Sequence, residues 1–220
     1  LLKTGKYIYF GSCDNRPLKW IILNNDDKGL LLWCDNIVEY MEYDNEDEAN
    51  KENIHGSNSW MESDVRKWLN TEFKNSFNEK EASLINNAVN KNVLSYDNIE
   101  KRAGGNKPFY WNPITSYVSQ NYDTDAYYDY SSESIFLLDV YQLQKYVYEN
   151  NLDFKKDERY WLRTPYYSGI SMVRIVEKDG FVYHKDANVK AAIIPAIYIN
   201  KNFSIKSGDG TNFNPIIIQN

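Results

Sequence analysis

One arginine in this chain stands where a charge is costly. The run Trp161-Leu162-Arg163-Thr164-Pro165 reads as an apolar strand, and Arg163 interrupts it. A guanidinium taken out of water must be met by a carboxylate or by several carbonyls, because a buried unpaired charge is prohibitive. Two chemistries follow. Arg163 is either a structural tie between strand and loop, or a planar fork that reads an anionic or sugar ligand. Thr164-Pro165 then forces the chain out of the strand and sets Tyr166-Tyr167-Ser168-Gly169 on an exposed loop.

A second set of residues suggests recognition rather than reaction. Tyr110, Trp111, Tyr117, Tyr122, Tyr127, Tyr128 and Tyr130 crowd one segment that lacks clear periodicity. Rigid rings give contact area at low entropy cost, and aromatic faces also stack on sugar rings. The plainer alternative is that they pack an irregular loop onto a sheet. Together these observations give a candidate ligand-binding set of Tyr110, Trp111, Tyr127, Tyr128, Trp161, Arg163, Tyr166 and Tyr167.

The residue types that catalysis needs do not assemble into a signature. His55 and His184 lie far apart, and neither belongs to a zinc pattern. There is no Gly-x-Ser-x-Gly elbow, phosphate loop or dinucleotide fingerprint. A catalytic dyad of Cys34 with His184 is a further alternative. Cys13 and Cys34 themselves either form a disulfide, if the chain is exported, or remain free thiols. Asp123, Asp125 and Asp129, and separately Asp44, Glu46, Asp47 and Glu48, are oxygen-rich stretches of the kind that hold calcium. Neither has the spacing of an EF-hand, and a solvated acidic face accounts for both. No cofactor is expected.

These residues have to be positioned by ordinary secondary structure. Lys6 to Ser12, Leu18 to Asn24 and Gly29 to Cys34 read as a β-meander, with Asn25 to Gly29 supplying the last turn. Trp20 to Leu23 and Leu30 to Trp33 are unbroken apolar runs, as in strands covered on both faces. Glu39 to Asn58 is acidic and reads as a loop. Val65, Trp68, Leu69 and Phe73 share one helical face behind a Ser63 cap, with Arg66 and Lys67 on the wet side. Arg66 with Trp68-Leu69-Asn70 either places polar groups near a pocket, or puts Trp68 and Leu69 in the core, Arg66 in a surface ion pair and Asn70 between a helix turn and a loop. A second helix opens at Asn78 with Glu81 as its capping-box partner, and Ala82, Leu84, Ile85, Ala88 and Val89 continue it. Ser95 to Ser134 reads as one long loop. Ile135 to Leu138 is a buried strand, and Asp139 with Gln142 opens a third helix reaching about Glu149. Arg159 to Arg163, Ser171 to Glu177, Gly180 to His184 and Ala192 to Ile199 are strands, with a hairpin turn at Lys178-Asp179-Gly180. The class is α+β, and the 220 residues are expected to form one domain over 1–220.

Composition excludes some partners. The net charge is −6 and no basic stripe runs through the chain, which argues against nucleic acid. No apolar run has the length that crosses a bilayer. The chain opens Leu1-Leu2-Lys3 without Met, as expected where a leader has been removed or another domain precedes.

The ordered motifs resemble a known family. Trp60, Ser63, Arg66, Trp68-Leu69-Asn70, Phe73, Phe77 and Glu81 are followed by Ile135 to Leu138, Trp161 to Pro165 and Pro195-Ala196. In that order, from Gly5 to about Asn200, they resemble the bacterial domain of unknown function DUF6273. Where that family usually reads Val-Arg-Pro-Ala, this chain has Ile193-Ile194-Pro195-Ala196, so any role of that arginine is absent or reassigned. The family is distantly similar to C-type-lectin-like modules and, more loosely, to formylglycine-generating enzymes. That similarity implies a twisted antiparallel sheet with two or three helices and long loops that carry any binding site. An enzyme of the latter kind needs a reactive cysteine pair, which Cys13 and Cys34 do not resemble.

The leading expectation is a non-enzymatic binding module, extracellular or at the cell surface, with a glycan, peptide or protein ligand. Two alternatives stand beside it: a hydrolase or transferase using scattered Asp and Glu residues, and a structural spacer.

Overall fold

The computed structural model describes residues 1–45, 54–93, 128–166 and 169–219. The N-terminal apolar runs form β1 (Tyr7–Cys13), β2 (Arg16–Asp26) and β3 (Gly29–Cys34), an antiparallel meander. All of β3 is buried, as an unbroken apolar strand requires. Its entry turn works as the Asp and Gly residues predict: Asp26 Oδ1 accepts the Lys28 N–H at 2.8 Å, and Gly29 takes a φ of +117°.

The meander is the middle of the larger sheet. Its order is β14 (Ser204–Ser207), β15 (Ile216–Gln219), β1, β2, β3, β13 (Ala196–Ile199) and β5 (Ile85–Asn86), with β8 (Ile135–Phe136) also paired to β13. β15 runs parallel to β1, pairing Ile216 with Ile8. The second sheet runs β11 (Val182–Asp186), β10 (Met172–Val176), β9 (Tyr160–Pro165), β12 (Lys190–Ile193) and β4 (Glu39–Glu42). A separate two-stranded ribbon joins β6 (Ala88–Val93) to β7 (Tyr128–Glu133). Buried residues from both sheets belong to one hydrophobic core.

The helices begin where their caps predict. Ser63 Oγ accepts the Arg66 N–H and opens α1 (Asp64–Thr71), which buries Val65 and Leu69. Trp68 stacks on Phe73, the first residue of a 3₁₀ turn over Phe73–Ser76. Asn78 and Glu81 form a reciprocal capping box on α2 (Glu79–Leu84). Asp139 and Gln142 do the same for α3 (Val140–Gln142), which continues as π-helical turns over Leu143–Tyr148. The result is mixed α+β, mostly strands in several sheets with few short helices. Among the described residues no helix is long and apolar enough to cross a membrane.

Four expectations need correction. α2 ends at Leu84, because Ile85 pairs with Ile199 and the chain from Ala88 pairs with β7. Glu39 to Glu42, expected in a loop, is an edge strand on β12. The predicted strand Ala192 to Ile199 is two strands: the chain leaves the second sheet at Ile193 and enters the first at Ala196. Every residue from Ala191 to Ile199 is buried, so the apolar run is real but serves two sheets. Finally, the end of the segment expected as one long loop is β7, and its part over 94–127 lies outside the described residues.

Gly29 marks where the meander meets β13. A Cβ there would lie 2.1 Å from the Ile199 carbonyl oxygen, on a backbone that L side chains rarely adopt. Gly29→Ala is therefore expected to lower stability by at least about 2 kcal/mol in urea unfolding. A loss within a few tenths of a kcal/mol would show that the β3–β13 contact is not close.

Candidate functional site

The ribbon turns its polar side inward. Asn90, Asn92, Ser131 and Glu133 are buried, while Val89 and Tyr130 are 66% and 55% exposed. A buried carboxylate needs donors, and Glu133 has four. Oε1 accepts from Trp60 Nε1 (3.0 Å), Asn90 Nδ2 (2.8 Å) and Ser131 Oγ (2.8 Å), and Oε2 from Arg66 Nε (3.1 Å). Asn92 Nδ2 donates to Ser131 Oγ at 2.7 Å, and Asn92 Oδ1 accepts from Arg163 Nε at 3.0 Å.

Arg163 is the far end of this chain of bonds. Its side chain is 1% exposed and meets the carboxylate that burial demands: Nη2 lies 3.0 Å from Asp139 Oδ2. Nη1 donates to Gln142 Oε1 (3.1 Å) and Nη2 to the Lys91 carbonyl (3.4 Å). Asp139 Oδ1 accepts the Gln142 N–H at 2.6 Å, so the capping box of α3 is also the counter-charge of β9. At the other end, Asn70 ties α1 to β8: Nδ2 donates to the Ile135 carbonyl (2.8 Å), and Oδ1 accepts the Ile135 N–H (3.1 Å). Arg66, expected in a surface pair, is instead bonded to the buried Glu133.

A cleft of about 480 Å³ opens beside Arg66, and one of about 620 Å³ opens above Arg163. The larger is walled by Asn86, Asn90, Tyr141, Gln142, Tyr146 and Tyr198, with Asp27 also on its lining. Tyr146 belongs to the π-helical turns, which re-aim side chains relative to a regular helix. Burial pushes the Tyr146 and Tyr198 phenols above their ordinary range, so both hydroxyls stay neutral. The Lys145 ammonium lies 5.5 Å and 5.3 Å from the Tyr141 and Tyr146 ring centroids.

The sequence-derived candidates fall in different places. Arg163 lines the larger cleft. Trp161 is buried, donating from Nε1 to the Met41 carbonyl at 3.2 Å with its ring edge-on to Tyr43. Tyr128 is buried, with the Lys91 ammonium 4.4 Å from its ring centroid. Tyr166 stacks on His184 at 3.9 Å, and the Arg174 guanidinium lies 4.7 Å from its ring. Tyr110, Trp111, Tyr127 and Tyr167 lie outside the described residues, as do Glu46, Asp47, Glu48, Asp123 and Asp125. Sequence reasoning missed Tyr141, Tyr146 and Tyr198. The first two follow the Asp139 cap within one helix, which is a usable signal. Tyr198 sits in an apolar run, and nothing local distinguishes it from core.

Among the described residues Cys34 and His184 have separate partners. Cys13 and Cys34 are free thiols. Burial pushes the Cys34 thiol up to about 12, and its sulfur lies 3.7 Å from the Lys19 carbonyl oxygen. Cys34 is on β3 of one sheet, and His184 is on β11 of the other, where it stacks on Tyr166 and Tyr183. Burial, then Arg174 and Lys185, hold the His184 pKa below its ordinary value. Asp44 is pushed up to about 6 by burial first, with Asp64 and Glu62 adding to it. Among the described residues no three His, Cys, Asp or Glu side chains form a group that could hold a metal.

A family model described as "Domain of unknown function (DUF6273)" matches residues 26–201. No curated protein and no solved structure matches the chain. The matched span holds the second sheet, the ribbon, the three α-helices found among the described residues and the described residues of both clefts. The strands β14, β15, β1 and nearly all of β2 fall outside it, and these are consecutive in the larger sheet.

Two outcomes are expected. Arg163→Met and Asp139→Asn should each cost about 3 kcal/mol or more, and the double variant clearly less than their sum. Additive losses in urea unfolding would show that the two charges do not act as a pair. Asp44 has its folded pKa raised, so its contribution to stability is full below 3.8 and is lost as pH rises through about 6. The stability of the protein relative to Asp44→Asn should therefore grow as pH falls through that window. A difference independent of pH would refute the raised carboxyl.

Proposed function

We propose, for a chain that belongs to the DUF6273 family, a non-enzymatic binding role in which the cleft above Arg163 takes a neutral sugar unit of a glycan. One observation carries this reading. Three tyrosines converge with the side-chain amides of Asn86, Asn90 and Gln142 around an open cleft whose floor charge is already neutralised. Sugars offer vicinal hydroxyls and apolar ring faces. Asn86 Nδ2 and Asn90 Nδ2 already donate to the Lys28 carbonyl and Glu133, and Gln142 Oε1 accepts from the Asp139 N–H and Arg163. Asn86 Oδ1 and Gln142 Nε2 are the amide groups left to match the hydroxyls, and phenol rings match the ring faces.

The alternative of a carboxylate enzyme has less support. Acid–base catalysis at a sugar needs two carboxyl groups facing one another across the bond. Of the two carboxylates among the described residues of this cleft, Asp139 is held by Arg163 and by the α3 cap, and Asp27 is exposed. A glycan ligand agrees with the distant C-type-lectin-like resemblance and with a surface-exposed or secreted protein, and both are part of the proposal.

The test is calorimetric titration of the protein with a panel of neutral oligosaccharides. At least one should bind, and Tyr141→Ala or Tyr146→Ala should weaken it about tenfold, or roughly 1.4 kcal/mol. An empty panel, or affinity unchanged by both substitutions, would overturn the assignment.

A further inference from the structure

The smaller cleft has a different chemistry. Arg66, Lys67, Asn70, Thr71 and Lys74 recur at helical spacing along the more exposed face of α1 and the 3₁₀ turn after it, facing Asn87 and Ser132 to Ser134. Its acceptors are largely spent. Glu133 already takes four hydrogen bonds, Asn70 Oδ1 takes the Ser134 and Ile135 N–H groups, and Asn87 Oδ1 accepts from Ser134 Oγ at 2.7 Å. Its donors are not. Lys67 and Lys74 make no ion pair among the described residues, and Arg66 commits Nε to Glu133 and Nη1 to the Met61 carbonyl, leaving Nη2. Glu62, on the rim, accepts from Ser57 Oγ. A cleft whose three cations keep unspent donors is suited to an oxyanion, and its local positive charge has to outweigh the opposing field of a chain of net charge −6.

Asn87 lines this cleft and also the larger one. We propose that the smaller cleft binds an anionic group, a carboxylate or a phosphate or sulfate ester, carried on the same glycan whose neutral unit occupies the larger cleft. The ligand class is thus an acidic glycan. This rests on the glycan reading for its second half, while the anion site stands on its own residues.

The probes are a galacturonate oligosaccharide and its methyl ester, which differ in charge and share a sugar skeleton. They are titrated into the protein and into Lys67→Glu/Lys74→Glu, whose exposed positions leave thermal unfolding unchanged. The free acid should bind about tenfold more tightly than the ester, and both the charge-reversing double substitution and high ionic strength should abolish the difference. Ester binding should be indifferent to the double substitution. Equal binding of acid and ester would overturn the anion site and leave the glycan reading intact. If neither sugar binds, amide resonances of Arg66 to Lys74 are followed as inorganic phosphate is added. Shifts lost in the double variant would keep the anion site without the glycan, and no shifts would sink both.

Discussion

A full positive charge lies at the base of the ribbon, and the surrounding architecture follows from satisfying it. Arg163 enters on β9, its counter-ion Asp139 on α3, and Asn92 and the Lys91 carbonyl on β6. Three segments remote in sequence must arrive together, because the cost of leaving any one of them out is an unpaired charge in the interior. The carboxylate that answers the charge also caps α3, where a helix favours negative charge in any case. The start of α3, and the tyrosines that follow it, are thereby fixed to the same point.

The ribbon is held by directional bonds rather than by apolar contact. Slipping either strand by one residue would bring Val89 or Tyr130 under the ribbon and turn Asn90 or Ser131 out. Hydrogen-bond partners would then be lost at Glu133 and Arg163 together. A polar interface of this kind adds less to stability than an apolar one of equal area, yet it admits a single register. Both clefts depend on that register, since each takes part of its wall from the ribbon or its ends.

Local chemistry made much of the fold legible. The caps at Ser63, Asn78 and Asp139, the Lys178 to Gly180 turn and the meander follow from residues within a few positions of each other. So did the demand of Arg163 for a partner, although the partner itself did not. What failed was non-local. Ile85, Ala88 and Val89 fit a helical face, and only pairing with Ile199 and β7 makes them strands. β6 also inverts the usual pattern, with Asn inside and Val outside, so alternation read as burial points the wrong way. The break at Ile194-Pro195 was hidden because both flanking strands are equally apolar. Tyr198 was missed as a cleft residue for the same reason.

The parallel pairing of Ile8 with Ile216 has a consequence for synthesis. β1 leaves the ribosome before every other strand of its sheet, and its neighbour β15 leaves after all of them. Until then one side of β1 presents unpaired backbone groups, which is the feature that templates aggregation. Closing a pair so far apart in sequence is intrinsically slow, so the nascent chain carries an open sheet edge while all the intervening strands are made.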